Sequence, residues 1–218
     1  MGMHVRRPLM PVVALALLLL AMTFALGACS FSLSCGKAAE GVTAYTDADY
    51  GFAFEYPAAW KLQQEDAATV TAGAAATGNV GVFDPAGANE DGSYYDLVEV
   101  SVYELNTTVD DSIMPDIKTE VERSLAGLES QEGDWKRLDD LADVALSGLQ
   151  GWKANYSFTI DGRPALCTFY LLFGGTLEYQ LLVQAVDENW EANQPIFDAF
   201  VASFRPRPAT STTAGTSD

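Results

Sequence analysis

Residues 154–185, ANYSFTIDGRPALCTFYLLFGGTLEYQLLVQA, decide the fold of this chain. The first seven alternate between apolar and polar side chains, which is typical of a half-buried strand, and Asp161-Gly162 then predicts a hairpin turn. The run from Ala165 to Phe173 is almost wholly apolar, as in a buried central strand. Gly174-Gly175 predicts a second reversal, into an alternating strand from Leu177 to Ala185. Connections this short join antiparallel neighbours, so the sequence predicts an antiparallel sheet.

The sequence before this stretch predicts further strands and a first helix. Apolar residues recur every four positions from Ile113 to Leu125 with charged residues between them, which predicts an amphipathic helix lying on the sheet. The expected extended elements are a hairpin within 42–56, a strand beginning at Trp60, an edge strand at Val80–Phe83 with a long loop at 84–94, and a half-buried strand at Val98–Val102.

A second helix is expected at the end of the domain. Large apolar residues stand at helical spacing from Trp190 to Phe204, and Pro195 must lie in the first turn of this helix or kink it. The order of strands, helix, strands and helix predicts an α+β fold over residues 42–205. Residues 206–218 are rich in Pro, Thr, Ser, Ala and Gly, which predicts a disordered tail.

Two segments of this domain resemble the PsbP-like superfamily. Residues 50–60, YGFAFEYPAAW, resemble the family's opening motif GF-x-F-x-YP-x-x-W, and residues 197–205, FDAFVASFR, resemble its terminal helix, which commonly ends in Ser-Phe. The match covers residues 42–205 in element order and implies an antiparallel sheet sandwiched between helices (α/β/α). It implies no activity and no functional residues, because the superfamily spans photosystem subunits, nucleocytoplasmic transport factors and bacterial lipoproteins of unknown role.

The first 28 residues have the features of a secretory signal. Arg6 and Arg7 precede an apolar run that is short for a membrane span, which needs ~20 residues. Leu26-Gly27-Ala28-Cys29 resembles the lipobox of bacterial lipoproteins, in which lipid is attached to the Cys thiol and a peptidase cuts just before it. The sequence therefore predicts a cleaved leader, a lipid anchor on Cys29 and a flexible tether over 29–41. An ordinary signal peptide or an uncleaved helix is the alternative.

The chain is strongly acidic, with 30 Asp and Glu against 12 Lys and Arg and a formal net charge of -18. This argues against nucleic-acid binding, where cations must replace the phosphate counterions. It also argues against unaided adsorption to an anionic membrane, so the anchor at Cys29 is expected to hold the protein there. Residues 104–143 contain 12 acids and 4 bases, and a basic partner is therefore expected first around the first helix.

The mature chain offers little for catalysis. The one histidine in the sequence, His4, lies in the predicted leader, so the mature chain would have none; histidine-dependent nucleophiles, histidine metal ligands and the commonest general acid or base are thereby excluded. No catalytic site and no cofactor are expected. Cys167 is expected to be a buried free thiol, and a disulfide with Cys35, which an oxidising exterior permits, is the alternative.

Two groups of residues are weaker candidates for binding. Asp84, Asp91 and Asp96 lie on a loop that could gather oxygen ligands for Ca²⁺, but the loop lacks the EF-hand spacing. A solvated acidic loop is favoured, and no metal is predicted. Trp135 and Trp152 lie near glycines in predicted turns, and either is a candidate contact residue if its ring is exposed.

These features favour a membrane-anchored, extracytoplasmic bacterial lipoprotein, monomeric, that acts as a non-catalytic binding or accessory module for an envelope protein. The alternative is a carrier of a small apolar or lipid ligand between sheet and helix; an enzyme is disfavoured. A carrier needs an internal cavity on the order of hundreds of Å³. A binding module needs a filled core and an exposed apolar or aromatic patch.

Overall fold

The structure is a computed structural model that describes residues 41–65, 78–87, 95–131 and 134–207. The predicted leader, the lipidation site Cys29, Cys35 and nearly all of the predicted tether and tail lie outside these residues. The described elements are β1 (Val42–Thr46), β2 (Ala53–Pro57), β3 (Lys61–Glu65), β4 (Gly78–Phe83), β5 (Leu97–Val109), α1 (Met114–Gln131), β6 (Lys136–Arg137), β7 (Ala142–Leu146), β8 (Leu149–Ile160), β9 (Arg163–Val186) and α2 (Asp187–Ser203).

The strands form two antiparallel sheets. A small sheet pairs β1 with β2, and the main sheet has the order β3-β4-β5-β9-β8-β6, with β7 also pairing with β8. The predicted Asp161-Gly162 turn joins β8 to β9, and both residues have positive φ angles, 49° and 78°, as this type of two-residue turn requires.

The long segment β9 reverses direction at Gly174-Gly175, as the sequence predicts. Its first part pairs with β8 and its second part with β5. A straight run of its 24 residues would be ~80 Å long. Yet Arg163, at the start of β9, forms an ion pair with Glu188, just beyond its end. The two ends of the segment are therefore close together, as they are when the chain folds back on itself. Gly175 has a φ of 62°, the left-handed conformation that glycine adopts without a steric penalty.

The two helices cover opposite faces of the main sheet. In β5, Leu97 belongs to the core that contains the α1 residues Ile117 and Val121, whereas the next residue, Val98, belongs to the core that contains Phe197 of α2. Successive strand residues point to opposite faces, so each helix packs on its own side. The fold is therefore the α+β sandwich, helix on sheet on helix, that the resemblance implied.

The two segments that carried the resemblance contact each other. Phe54 of β2 and Phe200 of α2 make an edge-to-face ring contact with centroids 5.2 Å apart. The amide of Ala53 donates a hydrogen bond to the carbonyl oxygen of Arg205, and the amide of Arg205 donates one to the carbonyl oxygen of Ala53, both at 2.8 Å. Ordered contacts continue to Arg207, whose Nε donates to the carbonyl oxygen of Tyr50 at 2.9 Å. The packed domain thus extends two residues into the predicted tail.

One sequence expectation about a single element is wrong. β4, which was expected at the edge of the sheet, lies between β3 and β5, because the segment after Trp60 adds a further strand outside it. Of the two alternatives for Pro195, the first turn is excluded, because Pro195 lies in the interior of α2; its missing N–H there removes one bond from the helix ladder. Within the described ranges, no helix is long and apolar enough to cross a membrane.

Candidate functional site

A groove of about 850 Å³, open to solvent, lies at the β6 end of the main sheet. The residues that line it come from the end of α1 and from one continuous stretch of chain. They are Glu129, Trp135, Lys136, Arg137, Leu138, Asp139 and Asp140. We call this the edge groove.

The edge groove follows the outer edge of a strand. Lys136 and Arg137 pair with Ser157 and Tyr156 of β8, and the amide of Leu138 extends the pairing by donating to a β8 carbonyl at 2.9 Å. Consecutive residues of a strand point to alternate faces of the sheet. Because both Lys136 and Arg137 line the groove, the groove runs along the edge between the two faces.

The ring of Trp135 forms the fixed floor of the edge groove. It stacks on Phe158 with centroids 4.2 Å apart and planes 21° apart, and it also contacts Tyr156 and Phe169 at centroid distances of 5.8 and 6.1 Å. Trp135 is half-buried, so part of the ring remains accessible. The sequence hypothesis that Trp135 can contact a partner is consistent with this position.

Leu138 adds an apolar group that the sequence analysis missed. Its side chain is 56% exposed and lines the same groove as Trp135. The one signal in the sequence is a single leucine between charged residues. That signal does not distinguish an exposed contact residue from a core residue, because single exposed leucines are common on protein surfaces.

The charge around the edge groove is mainly negative. The charge of Arg137 is already paired with two carboxylates: its Nη1 lies 2.6 Å from Oε2 of Glu122, and its Nε lies 3.2 Å from Oε1 of Glu129. The hydrogen bond with Glu122 raises the pKa of Arg137, so its charge is permanent. The carboxylates of the groove and its immediate surroundings outnumber the two cations, Lys136 and Arg137; they are Glu122, Glu129, Asp134, Asp139 and Asp140.

Trp152 is not a contact residue. It lies in β8, not in a turn, is 4% exposed, and its ring meets Phe173 edge-on with centroids 5.7 Å apart. The turn that the nearby glycines predicted is at Ser147 and Gly148, which have φ angles of 51° and 85°. Trp152 lies near the start of the strand that follows this turn, and its side chain belongs to the core that α1 covers.

The proposed Ca²⁺ loop is not assembled from the residues that the structure describes. Asp96 is buried and accepts hydrogen bonds from the amide of Val186 at 3.1 Å and from the side-chain amides of Asn189 and Asn193 at 2.7 and 2.9 Å. Asp84 caps a short turn, and Asp91 lies outside the described residues. Asp96 therefore anchors the start of α2, and the favoured interpretation of a solvated loop is wrong for it.

In the described ranges, no group of three or more His, Cys, Asp or Glu side chains is placed to hold a metal ion. Cys167 is 1% exposed in the core beneath α1, and burial raises the pKa of its thiol. Because Cys35 and Cys29 lie outside the described residues, the disulfide and the lipid attachment stay predictions.

Glu178 in β9 is a buried carboxyl that the sequence analysis did not single out. It is 0% exposed; its Oε1 accepts a hydrogen bond from Gln180 at 2.8 Å, and its Oε2 has no partner. Burial raises the pKa of Glu178 to about 7. Tyr103 lies directly opposite on β5, and burial together with the nearby Glu178 raises the pKa of its hydroxyl far above the usual value.

The sheet faces beneath both helices are filled with side chains. The α2 side contains large residues such as Phe52 and Phe197, and the α1 side contains Tyr156 and Leu171, all at most 1% exposed. The edge groove is open and bordered by charged groups. Pockets that hold apolar ligands are enclosed and mostly apolar, so this geometry suits a macromolecular contact better.

Comparison with known proteins finds likeness at the level of structure. The sequence matches no protein-family model and no curated protein. The fold is similar to that of LpqN, a protein involved in cell envelope biogenesis of Mycobacterium tuberculosis, at 14% identity and a TM-score of 0.54, over 77% of this chain and 91% of that one. It is also similar to cyanobacterial PsbP (CyanoP) from Synechocystis, at 17% identity and a TM-score of 0.51, over 83% and 98%. This chain therefore has the PsbP-like fold.

Proposed function

We propose that this protein is an extracytoplasmic bacterial lipoprotein, anchored through Cys29, whose domain is a non-catalytic binding module for another protein of the cell envelope. The observation that carries the proposal is the edge groove, which is lined both by the exposed Leu138 and by the ring of Trp135. Exposed apolar groups next to a rigid aromatic ring, with a polar rim, are typical of protein contact sites.

The sequence and the structural neighbours support the location. Leu26-Gly27-Ala28-Cys29 resembles a lipobox, and the similar protein LpqN is involved in cell envelope biogenesis. Two or more lipid chains hold a protein stably at a bilayer. The anchor would keep the acidic domain at a membrane that its own surface charge does not favour.

The experiment that tests this function is site-specific photocrosslinking of the full-length protein in its own membrane. A photoreactive residue replaces Leu138 in one variant and Ala199, on the exposed side of α2, in a matched control. We expect a discrete adduct with one envelope protein from position 138, abolished by Trp135→Ala, and none from position 199. Equal adducts from both positions, or none from either, would contradict the proposal.

A further inference from the structure

We propose that the outer edge of β6 accepts an extended, basic segment of a partner protein as an additional strand of the main sheet. This inference rests on the proposed function and specifies the kind of partner that the edge groove fits. Strand addition to a sheet edge is a common way in which a folded domain recognises an extended peptide.

The backbone of the edge groove is arranged for this pairing. β6 ends the main sheet, and its pairing with β8 makes Leu138 a hydrogen-bonded residue, with its amide 2.9 Å from the carbonyl oxygen of Asn155. In antiparallel pairs, hydrogen-bonded and non-bonded residues alternate. Arg137, the β6 residue next to the bonded Leu138, therefore directs its backbone groups away from β8, toward the open side of the groove.

The side chains beside this edge offer apolar contacts to an added strand. Trp135 lines the groove with part of its ring accessible, and Leu138 lines it with an exposed apolar side chain. Side chains of an extended peptide point alternately to the two faces of the sheet that it joins. A peptide with apolar residues among its basic residues can thus contact Leu138 or Trp135 while its backbone pairs with the edge.

Charge selects the partner. Arg137 is neutralised by Glu122 and Glu129, which leaves Lys136 against the carboxylates of Asp134, Asp139 and Asp140 beside the edge. Charged residues on an edge strand normally prevent pairing with further strands. Here the net charge of -18 disfavours a second copy of this chain as the occupant. The same acids attract a strand that carries Lys or Arg.

The test uses synthetic peptides, so that the protein itself is unchanged. The probe is a fluorescent nine-residue peptide of alternating Lys and Val, and its binding to the mature protein is followed by fluorescence anisotropy. One matched peptide carries N-methyl groups at every second residue on its pairing edge, which removes the backbone donors but keeps the charge. A second matched peptide has Glu in place of every Lys.

We expect the N-methylated peptide to bind about tenfold more weakly or worse, because several backbone hydrogen bonds are lost, and the Glu peptide not to bind measurably. Amide hydrogen exchange at Arg137 should slow when the Lys peptide is bound. Equal affinity of the N-methylated and unmodified peptides, or unchanged exchange at the Arg137 amide, would overturn strand addition.

Charge variants separate the edge from the generally acidic surface. Asp139→Asn with Asp140→Asn should weaken binding of the Lys peptide by about tenfold at low salt, because two nearby carboxylates are lost. The control, Glu191→Gln with Asp198→Asn, removes two exposed carboxylates from α2, on the other face of the sheet. This control should change the affinity for the Lys peptide less than about twofold. Equal losses in the two double variants would overturn the assignment.

The two proposals can fail separately. A crosslink from position 138 to an envelope protein, with no preference for the unmethylated Lys peptide, would leave the proposed function standing and overturn strand addition. A preference for the unmethylated peptide that is lost in Leu138→Lys, but with no crosslink in the membrane, would support the edge chemistry and contradict the function.

Discussion

Glu178 shows most clearly how the environment of one residue departs from its sequence pattern. The alternation from Leu177 to Ala185 places Glu178 on the polar side of a half-buried strand, where solvent is normally expected. In this fold both faces of the strand are covered, so its carboxyl is buried with one hydrogen bond, from Gln180. Burial disfavours the charged form of a carboxyl, and the pKa of Glu178 is about 7.

Stability should therefore depend on pH through Glu178. In the unfolded chain the carboxyl titrates near its usual pKa of 4.5, and in the folded protein near 7. Between these values the folded state binds more protons, so the free energy of unfolding decreases as pH rises, by about 3 kcal/mol at most. Glu178→Gln should remove most of this loss and be more stable than the wild type at pH 8.

Urea denaturation at pH 5 and pH 8 measures this effect. Glu104→Gln is the matched control, since Glu104 is exposed on the same sheet, and its pH dependence should follow the wild type. A Glu178→Gln variant that loses as much stability as the wild type between these two pH values would show that Glu178 is not the responsible group.

Asp96 connects parts of the chain that no local pattern relates. It accepts hydrogen bonds from residues about 90 positions away, at the start of α2. Asp96→Ala leaves these buried donors without an acceptor and should lower the free energy of unfolding by about 3 kcal/mol. Asp84→Ala, which removes the other described member of the proposed Ca²⁺ loop, should cost about 1 kcal/mol or less. Chemical denaturation of both variants measures the difference; equal losses would contradict the role of Asp96.

At the scale of the elements, turns and periodicity predicted most of the fold. Asp161-Gly162 and Gly174-Gly175 were predicted as reversals because only particular residues adopt positive φ without strain. The position of β4 was not predictable, because strand order depends on which distant strands pair. Trp152 was misplaced for a related reason: nearby glycines indicate a turn, but not at which residue the strand after it begins.

Gly151 tests how closely β8 and β9 pack. A Cβ added there would lie 1.8 Å from the backbone oxygen of Leu171, a contact that cannot be relieved by a side-chain rotation. Gly151→Ala should therefore lower the free energy of unfolding by at least about 3 kcal/mol. Gly81→Ala in β4 is the matched control, because nothing lies within 4 Å of its added Cβ. Thermal unfolding of the two variants gives the comparison, and a similar Tm would contradict the packing of β8 on β9.

At the scale of the whole molecule, the charge is consistent with the proposed lipid anchor. The chain carries a net charge of -18, which suits a domain held at a membrane by lipid, not by its own surface. Cys29→Ala should therefore give a larger precursor that no longer incorporates labelled fatty acid. Metabolic labelling and the mass of the extracted protein measure this. Normal processing and lipid labelling of Cys29→Ala would contradict anchoring at this residue.

The candidate site was only partly predictable at this scale. Trp135 was identified as a contact candidate from its residue type and its position near a turn. The edge groove was not, because Leu138 becomes significant only when β6 is known to end the sheet. A short edge strand of two residues has no periodicity from which its place in the sheet can be inferred.

Native mass spectrometry of the mature protein, gently extracted from its own membrane, tests partner binding through the edge groove most directly. We expect the wild type and the Glu191→Gln control to retain a second protein, and Leu138→Asp to appear without it. A wild type that is a bare monomer, or that retains only a small molecule, would contradict a binding module that uses this edge.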